Sequence, residues 1–106
     1  MALFRKKEEM HFRHHNKRNH NTLIVGEDTE TYDYLLVTSK AKRDKNHNNV
    51  KFKVKPKKGY NGDSYYEKKL KKDLKKFFAS SRLRSWHLSK SDYDEIMLLL
   101  KNKNKK

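Results

Sequence analysis

The sequence contains no cysteine, one proline and three glycines in 106 residues. Without thiols there are no disulfides and no thiolate nucleophile, and the composition suits a reducing compartment. Acid is scarce as well: 13 Asp and Glu stand against 28 Lys and Arg, a formal net charge of +15. Hydrophobic residues make up 33%, against roughly 45–50% in ordinary globular chains, so the core must be small. The longest apolar run, Ile96–Leu100, falls far short of the ~18–20 residues of a membrane span. Met1-Ala-Leu-Phe-Arg-Lys-Lys7 lacks the apolar segment of a secretory signal. The expectation is one small cytoplasmic domain with no membrane partner.

What the chain has in excess is positive charge. Such a field draws polyanions from beyond contact range, and inside a cell these are nucleic acid and acidic lipid. A surface-lying membrane helix wants large apolar residues opposite a basic face, and the one segment of that kind is needed to cover the small core. Lysine that merely solubilises, in an AT-rich coding sequence, would also raise the Lys and Asn content. It would not leave so little acid to balance the lysine, so nucleic acid is the expected partner.

Residues 1–21 form a basic arm with Arg5, Lys6, Lys7, Arg13, Lys17, Arg18 and four histidines, able to add one short strand or helix to the domain. Thr22–Val25 and Tyr32–Thr38 are rich in β-branched and aromatic residues, and the polar turn Gly26–Thr31 makes them a hairpin. Residues 39–49 form a polar, basic loop. Val50-Lys-Phe-Lys-Val-Lys55 alternates strictly, predicting a strand with Val50, Phe52 and Val54 inward and the lysines outward. Pro56 ends it, and the Gly/Asn cluster 57–62 is a turn. From Ser64 to Phe78 the period becomes helical, with Tyr66, Leu70, Leu74, Phe77 and Phe78 in one arc and lysines around the rest. Ser89-Lys-Ser-Asp92 resembles a capping box. It opens a helix to about Lys101 with Tyr93, Ile96, Met97 and Leu100 on one face, acids in its first turn and Lys101 at its end. The domain thus spans 22–101, with a basic tail at 102–106. The order predicts an α+β fold: a small antiparallel sheet with a basic helix and a C-terminal helix.

The outward lysines of 50–55 would lie about 6.6–6.8 Å apart, close to two ~3.4 Å steps along one nucleic-acid strand. Lysine also protects edge strands from aggregation. The phosphate-tracking reading is helped by the neighbouring loop and turn. From Lys40 to Lys58 the cations are Lys40, Lys42, Arg43, Lys45, Lys51, Lys53, Lys55, Lys57 and Lys58, against Asp44 alone. Arg82 and Arg84, beside Trp86, join them as candidates, and Arg43, Asn46, Asn48 and Asn49 are candidate base readers. The lysines of 65–78 are a second candidate surface or a solvated helix face. A helix-turn-helix is disfavoured by the long gap between the two predicted helices and by the acids that begin the second.

Metal chemistry has little support. His11, His14, His15 and His20 lie close in sequence, but with no cysteine and only His47 and His87 elsewhere they lack the second cluster of a zinc site. Glu27, Asp28, Glu30 and Asp33 crowd one hairpin turn, where a two-metal nuclease needs carboxylates converging on a pocket. No phosphate loop or nucleophile elbow is present. No cofactor is expected. Metal-free RNA cleavage needs only a base, an acid and a cation, because RNA carries its own 2′-OH nucleophile.

Arg18-Asn-His-Asn-Thr-Leu-Ile-Val25, Tyr34-Leu-Leu-Val-Thr-Ser-Lys40, Asp63-Ser64 and Trp86-His-Leu-Ser-Lys-Ser-Asp-Tyr-Asp-Glu-Ile96 together resemble the MazF/PemK-like proteins in order and spacing over roughly residues 17–101. The resemblance implies an SH3-like barrel with a C-terminal helix, and metal-independent endoribonuclease activity as the toxin of a toxin–antitoxin pair. By position, Arg18 would be the phosphate-stabilising cation and Thr38 the hydroxyl beside the scissile phosphate. The sequence departs from the family where an Arg/His arm replaces its first strand, where Asn21 replaces a proline, and where a helical pattern follows Asp63-Ser64 in place of a strand. The chain is also similar to short basic reading frames of plasmids, phages and conjugative elements, which implies DNA or RNA binding in transfer, replication or regulation. The leading expectation is a nucleic-acid-binding accessory or regulatory factor, DNA favoured, with the ribonuclease as alternative. Other candidate partners are a second copy of the chain and an acidic protein.

Overall fold

The computed structural model describes residues 10–57, 59 and 62–104. The first nine residues of the arm, Lys58, part of the 57–62 turn and the end of the tail lie outside the described residues.

The expected hairpin is present as β2 (His20–Glu27) and β3 (Thr31–Thr38), paired antiparallel with Leu23 opposite Leu35. A register shift between Ile24 and Gly26 marks a bulge, which locally bends and twists the strand. The basic arm does add a strand: β1 (His11–His15) pairs with β2, Phe12 opposite Leu23. Phe12 is buried and Met10 packs beside it, so apolar points scattered in a cationic arm suffice to hold it in the sheet.

The helix expected over 65–78 is not formed. Its residues make β7 (Tyr65–Tyr66), β8 (Lys71–Leu74) and a 3-10 turn (Lys75–Phe77). Both strands run along one edge of β3: Val37 and Thr38 pair with Tyr66 and Tyr65, and Thr31–Tyr34 pair with Leu74–Lys71. The physical reason is the bare edge of β3, whose backbone groups need partners. Helix propensity of Lys and Leu is a weak preference that such pairing overrides.

The 50–55 strand is shorter than its alternation suggests. Only β6 (Val50–Lys51) pairs with β7, and Phe52 N–H donates to the Ser64 carbonyl at 3.0 Å. Phe52 is buried, but Val54 is exposed, because the Lys53 and Val54 N–H groups turn away to the carboxylate of Asp92 at 2.8 and 3.1 Å. The 39–49 loop contains a two-stranded hairpin of its own, β4 (Lys42–Asp44) with β5 (His47–Asn48). The C-terminal helix α1 (Lys90–Asn104) starts where expected. Ser89 Oγ accepts from Asp92 N–H at 3.1 Å and donates to Asp92 Oδ2 at 2.8 Å.

The result is α+β, an antiparallel sheet ordered β1-β2-β3-β7-β6, with β8 sharing β3 and one C-terminal helix. β2 and β3 are buried on both faces. On one, Phe12, Leu23, Val25, Leu35 and Val37 pack with Phe52, Tyr66 and the helix residues Ile96 and Leu100. On the other, Ile24, Tyr34, Leu36 and Phe78 form a second cluster with Tyr32 and Phe77. The chain leaving β8 reaches back to β1 through the bridge His15–Phe78 and the Ala79 N–H to His14 carbonyl bond of 2.8 Å. The sheet curls around the second cluster but is not closed, since no ladder joins β8 to β1. No helix among the described residues is long and apolar enough to cross a membrane.

Candidate functional site

Four side chains meet at the rim of the second cluster, beneath the turn joining β1 to β2. Asn19 takes a left-handed conformation (φ 56°), which asparagine tolerates, and its N–H donates to the His15 carbonyl at 2.8 Å. This places Arg18 over β8. Arg18 Nε donates to Tyr34 Oη at 2.9 Å, Tyr34 donates in turn to Asp73 Oδ2, and His15 Nε2 lies 3.0 Å from the same oxygen. His15 Nδ1 accepts the Arg18 backbone N–H at 3.0 Å. Because Nδ1 is an acceptor, the proton facing Asp73 is on Nε2. The bonds form a closed ring that begins and ends on Arg18.

Tyr34 and His15 are buried while Asp73 and Arg18 reach the surface. Partial burial opposes ionisation of Asp73, but the bonds from Tyr34, His15 and Arg18 outweigh it and hold its carboxyl below the usual value. Burial, and then the bond to Asp73, push the Tyr34 phenol up to about 12. His15, Lys17, Arg18, His20, Leu36 and Asp73 line a cleft of about 520 Å³.

Thr38 lies in an adjoining cleft of about 290 Å³ with His14, Asn21, Lys40 and Ser64. His20 lines both clefts, so it stands between the two residues carried over from the family resemblance. The Thr38 hydroxyl accepts the Lys40 N–H at 3.2 Å.

Lys71 extends the cationic mouth. It stands opposite Tyr34 in the β3–β8 ladder, two residues before Asp73 and therefore on the same side of the strand. Partial burial, then the charge of Arg18, lower its pKa; Lys69 and Arg43 add to the effect, and Glu67 opposes it. Arg43, Lys68 and Lys69 in turn line a groove of about 470 Å³ with the acid Glu67 and with His47, Asn48, Asn49 and Asn102. Asp44, next to Arg43 in β4, binds His47 Nδ1 at 2.7 Å and accepts the Asn46 N–H at 2.9 Å, which hold its carboxyl below the usual value.

The residues expected to contact nucleic acid are therefore divided. Arg43 joins the groove and Lys40 the Thr38 cleft, while Lys42 and Lys45 are exposed on the β4–β5 hairpin. Lys51 pairs with Asp63 at 3.6 Å and Lys53 with Glu95 at 2.9 Å, so the regular lysine row is partly neutralised. Lys55 is exposed, and Lys57 forms a bridge with Trp86. Arg82 and Arg84 line a cleft of about 240 Å³ with Trp86, His87 and Phe12, and Trp86 also lines the Thr38 cleft. Lys68, Lys69 and Lys71 lie on a loop and a strand instead of a helix face. Sequence reasoning had Lys17 and His15 only as members of the basic arm, and missed Tyr34 and Asp73. The signal available was Asp73, the lone acid between Glu67 and Asp92.

Asp33, grouped by sequence with the exposed acids of the hairpin turn, is buried and pairs with Lys72 at 3.5 Å. Among the described residues no three His, Asp or Glu side chains are grouped to hold a metal. Compared with known protein families, curated proteins and solved structures, the chain finds no match.

Proposed function

We propose that this protein binds nucleic acid, with DNA as the favoured form, mainly through phosphate contacts, as an accessory or regulatory factor of a plasmid, phage or conjugative element. The observation that carries the reading is the gathering of cations from separate parts of the chain: Lys17 and Arg18 line one cleft with Lys71 beside it on β8, and Arg43, Lys68 and Lys69 line a groove. Like charges held together are unfavourable, and a polyanion relieves them while releasing its own counterions. The exposed hairpin lysines Lys42 and Lys45 and the amides of the neighbouring groove would extend the contact toward base edges.

A second reading is favoured by one observation, the position of His20 between the clefts of Arg18 and Thr38. A cation, a hydroxyl and an imidazole around one phosphodiester suit metal-free RNA cleavage, the activity that the MazF/PemK resemblance implies. A strand does follow Asp63-Ser64, as in that family, and the curl of β1, β2, β3 and β8 is the arrangement from which an SH3-like barrel would be made.

Shift and cleavage gels, run together in EDTA with labelled single-stranded RNA and duplex DNA, separate the two. Intact, shifted substrates are the expected result. Discrete RNA fragments that disappear with Thr38→Ala and Arg18→Ala would instead make the protein a ribonuclease.

A further inference from the structure

The ring around Arg18 contains an acid in the middle of a cationic mouth. Asp73 lowers the local potential and, as a charge alone, works against an anionic ligand. Its geometry does something else. Together with Tyr34 it engages Nε of Arg18, and His15 engages the backbone N–H of the same residue. The two Nη groups have no hydrogen-bond partner among the described residues, and the side chain remains 44% exposed. A guanidinium held by Nε has lost its rotamer freedom before any ligand arrives, while its Nη donors keep the planar fork that matches phosphate oxygens.

We propose that this mouth seats a single phosphate group of the bound nucleic acid, with Asp73, Tyr34 and His15 as positioning residues that present the Nη edge of Arg18. Lys17, His20 and Lys71 surround the seat. The inference rests on the reading of this face as phosphate-binding, and goes beyond it by assigning a favourable role to an acid.

The test is fluorescence anisotropy with a short labelled DNA duplex, on variants whose folding is checked by circular dichroism. Asp73→Asn raises the net charge by one, so charge alone predicts tighter binding; positioning predicts binding weaker by roughly fivefold to tenfold. Tyr34→Phe alters no charge at neutral pH and is expected to weaken binding similarly. Arg18→Lys keeps the charge and loses the fork; it should weaken binding almost as much as Arg18→Ala. In an Arg18→Ala background, Asp73→Asn should no longer weaken binding. Tighter binding by Asp73→Asn, or unchanged binding by Arg18→Lys, overturns the seat while leaving the broader reading intact. Failure of the unaltered protein to bind overturns both.

Discussion

Asp73 and Tyr34 lose their stabilising contributions at opposite ends of the pH scale. Tyr34, pushed up to about 12 in the fold, ionises at ~10 in an unfolded chain. A group with a raised folded pKa contributes stability that is complete below its unfolded value and lost as pH rises from ~10 to about 12. For Asp73, depressed in the fold, the sign reverses: its contribution is present above ~4 and lost as pH falls below that value. Replacing Tyr34 by Phe removes a hydrogen bond to an ionised partner and should cost on the order of 1–2 kcal/mol at neutral pH. Urea unfolding checks this: the gap between the two proteins should narrow from pH ~10 to about 12. A gap that stays constant would mean that the fold does not hold the Tyr34 proton above its unfolded value.

At the scale of elements, Asp92 joins two parts of the chain. Its carboxylate is buried, accepts two backbone N–H groups from the 53–54 bend, and shares the helix cap with Ser89. Asp92→Ala leaves those buried donors without a partner and removes half of the cap, so about 3 kcal/mol of stability should be lost. Ser89→Ala, which disturbs the cap alone, should cost about 1 kcal/mol; equal losses in urea titrations would contradict the linking role. The helix itself was legible because Ser89, Asp92 and the apolar spacing of Tyr93, Ile96, Met97 and Leu100 all point the same way. The β2–β3 hairpin was legible from its β-branched and aromatic residues. β8 was not, since Leu70, Leu74 and Phe77 happen to fall at helical spacing, and what makes Lys71–Leu74 a strand is the open edge of β3, a partner far away in sequence. Val54 misled in a similar way: it alternates correctly, yet Asp92 bends the backbone before it reaches the core. The site was partly legible. Arg18, Thr38 and Arg43 lie in clefts, but the ring linking His15, Tyr34 and Asp73 spans 58 residues and follows from no local pattern.

For the whole molecule, the balance of charge decides the account. Several surface lysines have acids beside them: Lys53 with Glu95, Lys75 with Glu27, Lys90 with Asp94. Such exposed pairs contribute little to stability, but they lower the field where they occur. Around Lys71 the opposing acids are Glu67 and the already engaged Asp73, against Arg18, Lys69 and Arg43. If nucleic acid binds at this cluster, phosphate neutralisation should govern affinity. The most direct measurement is the dependence of duplex DNA affinity on salt. If about six phosphates are neutralised, the log–log slope should be roughly −5. A slope near zero would contradict phosphate binding as the function of this face.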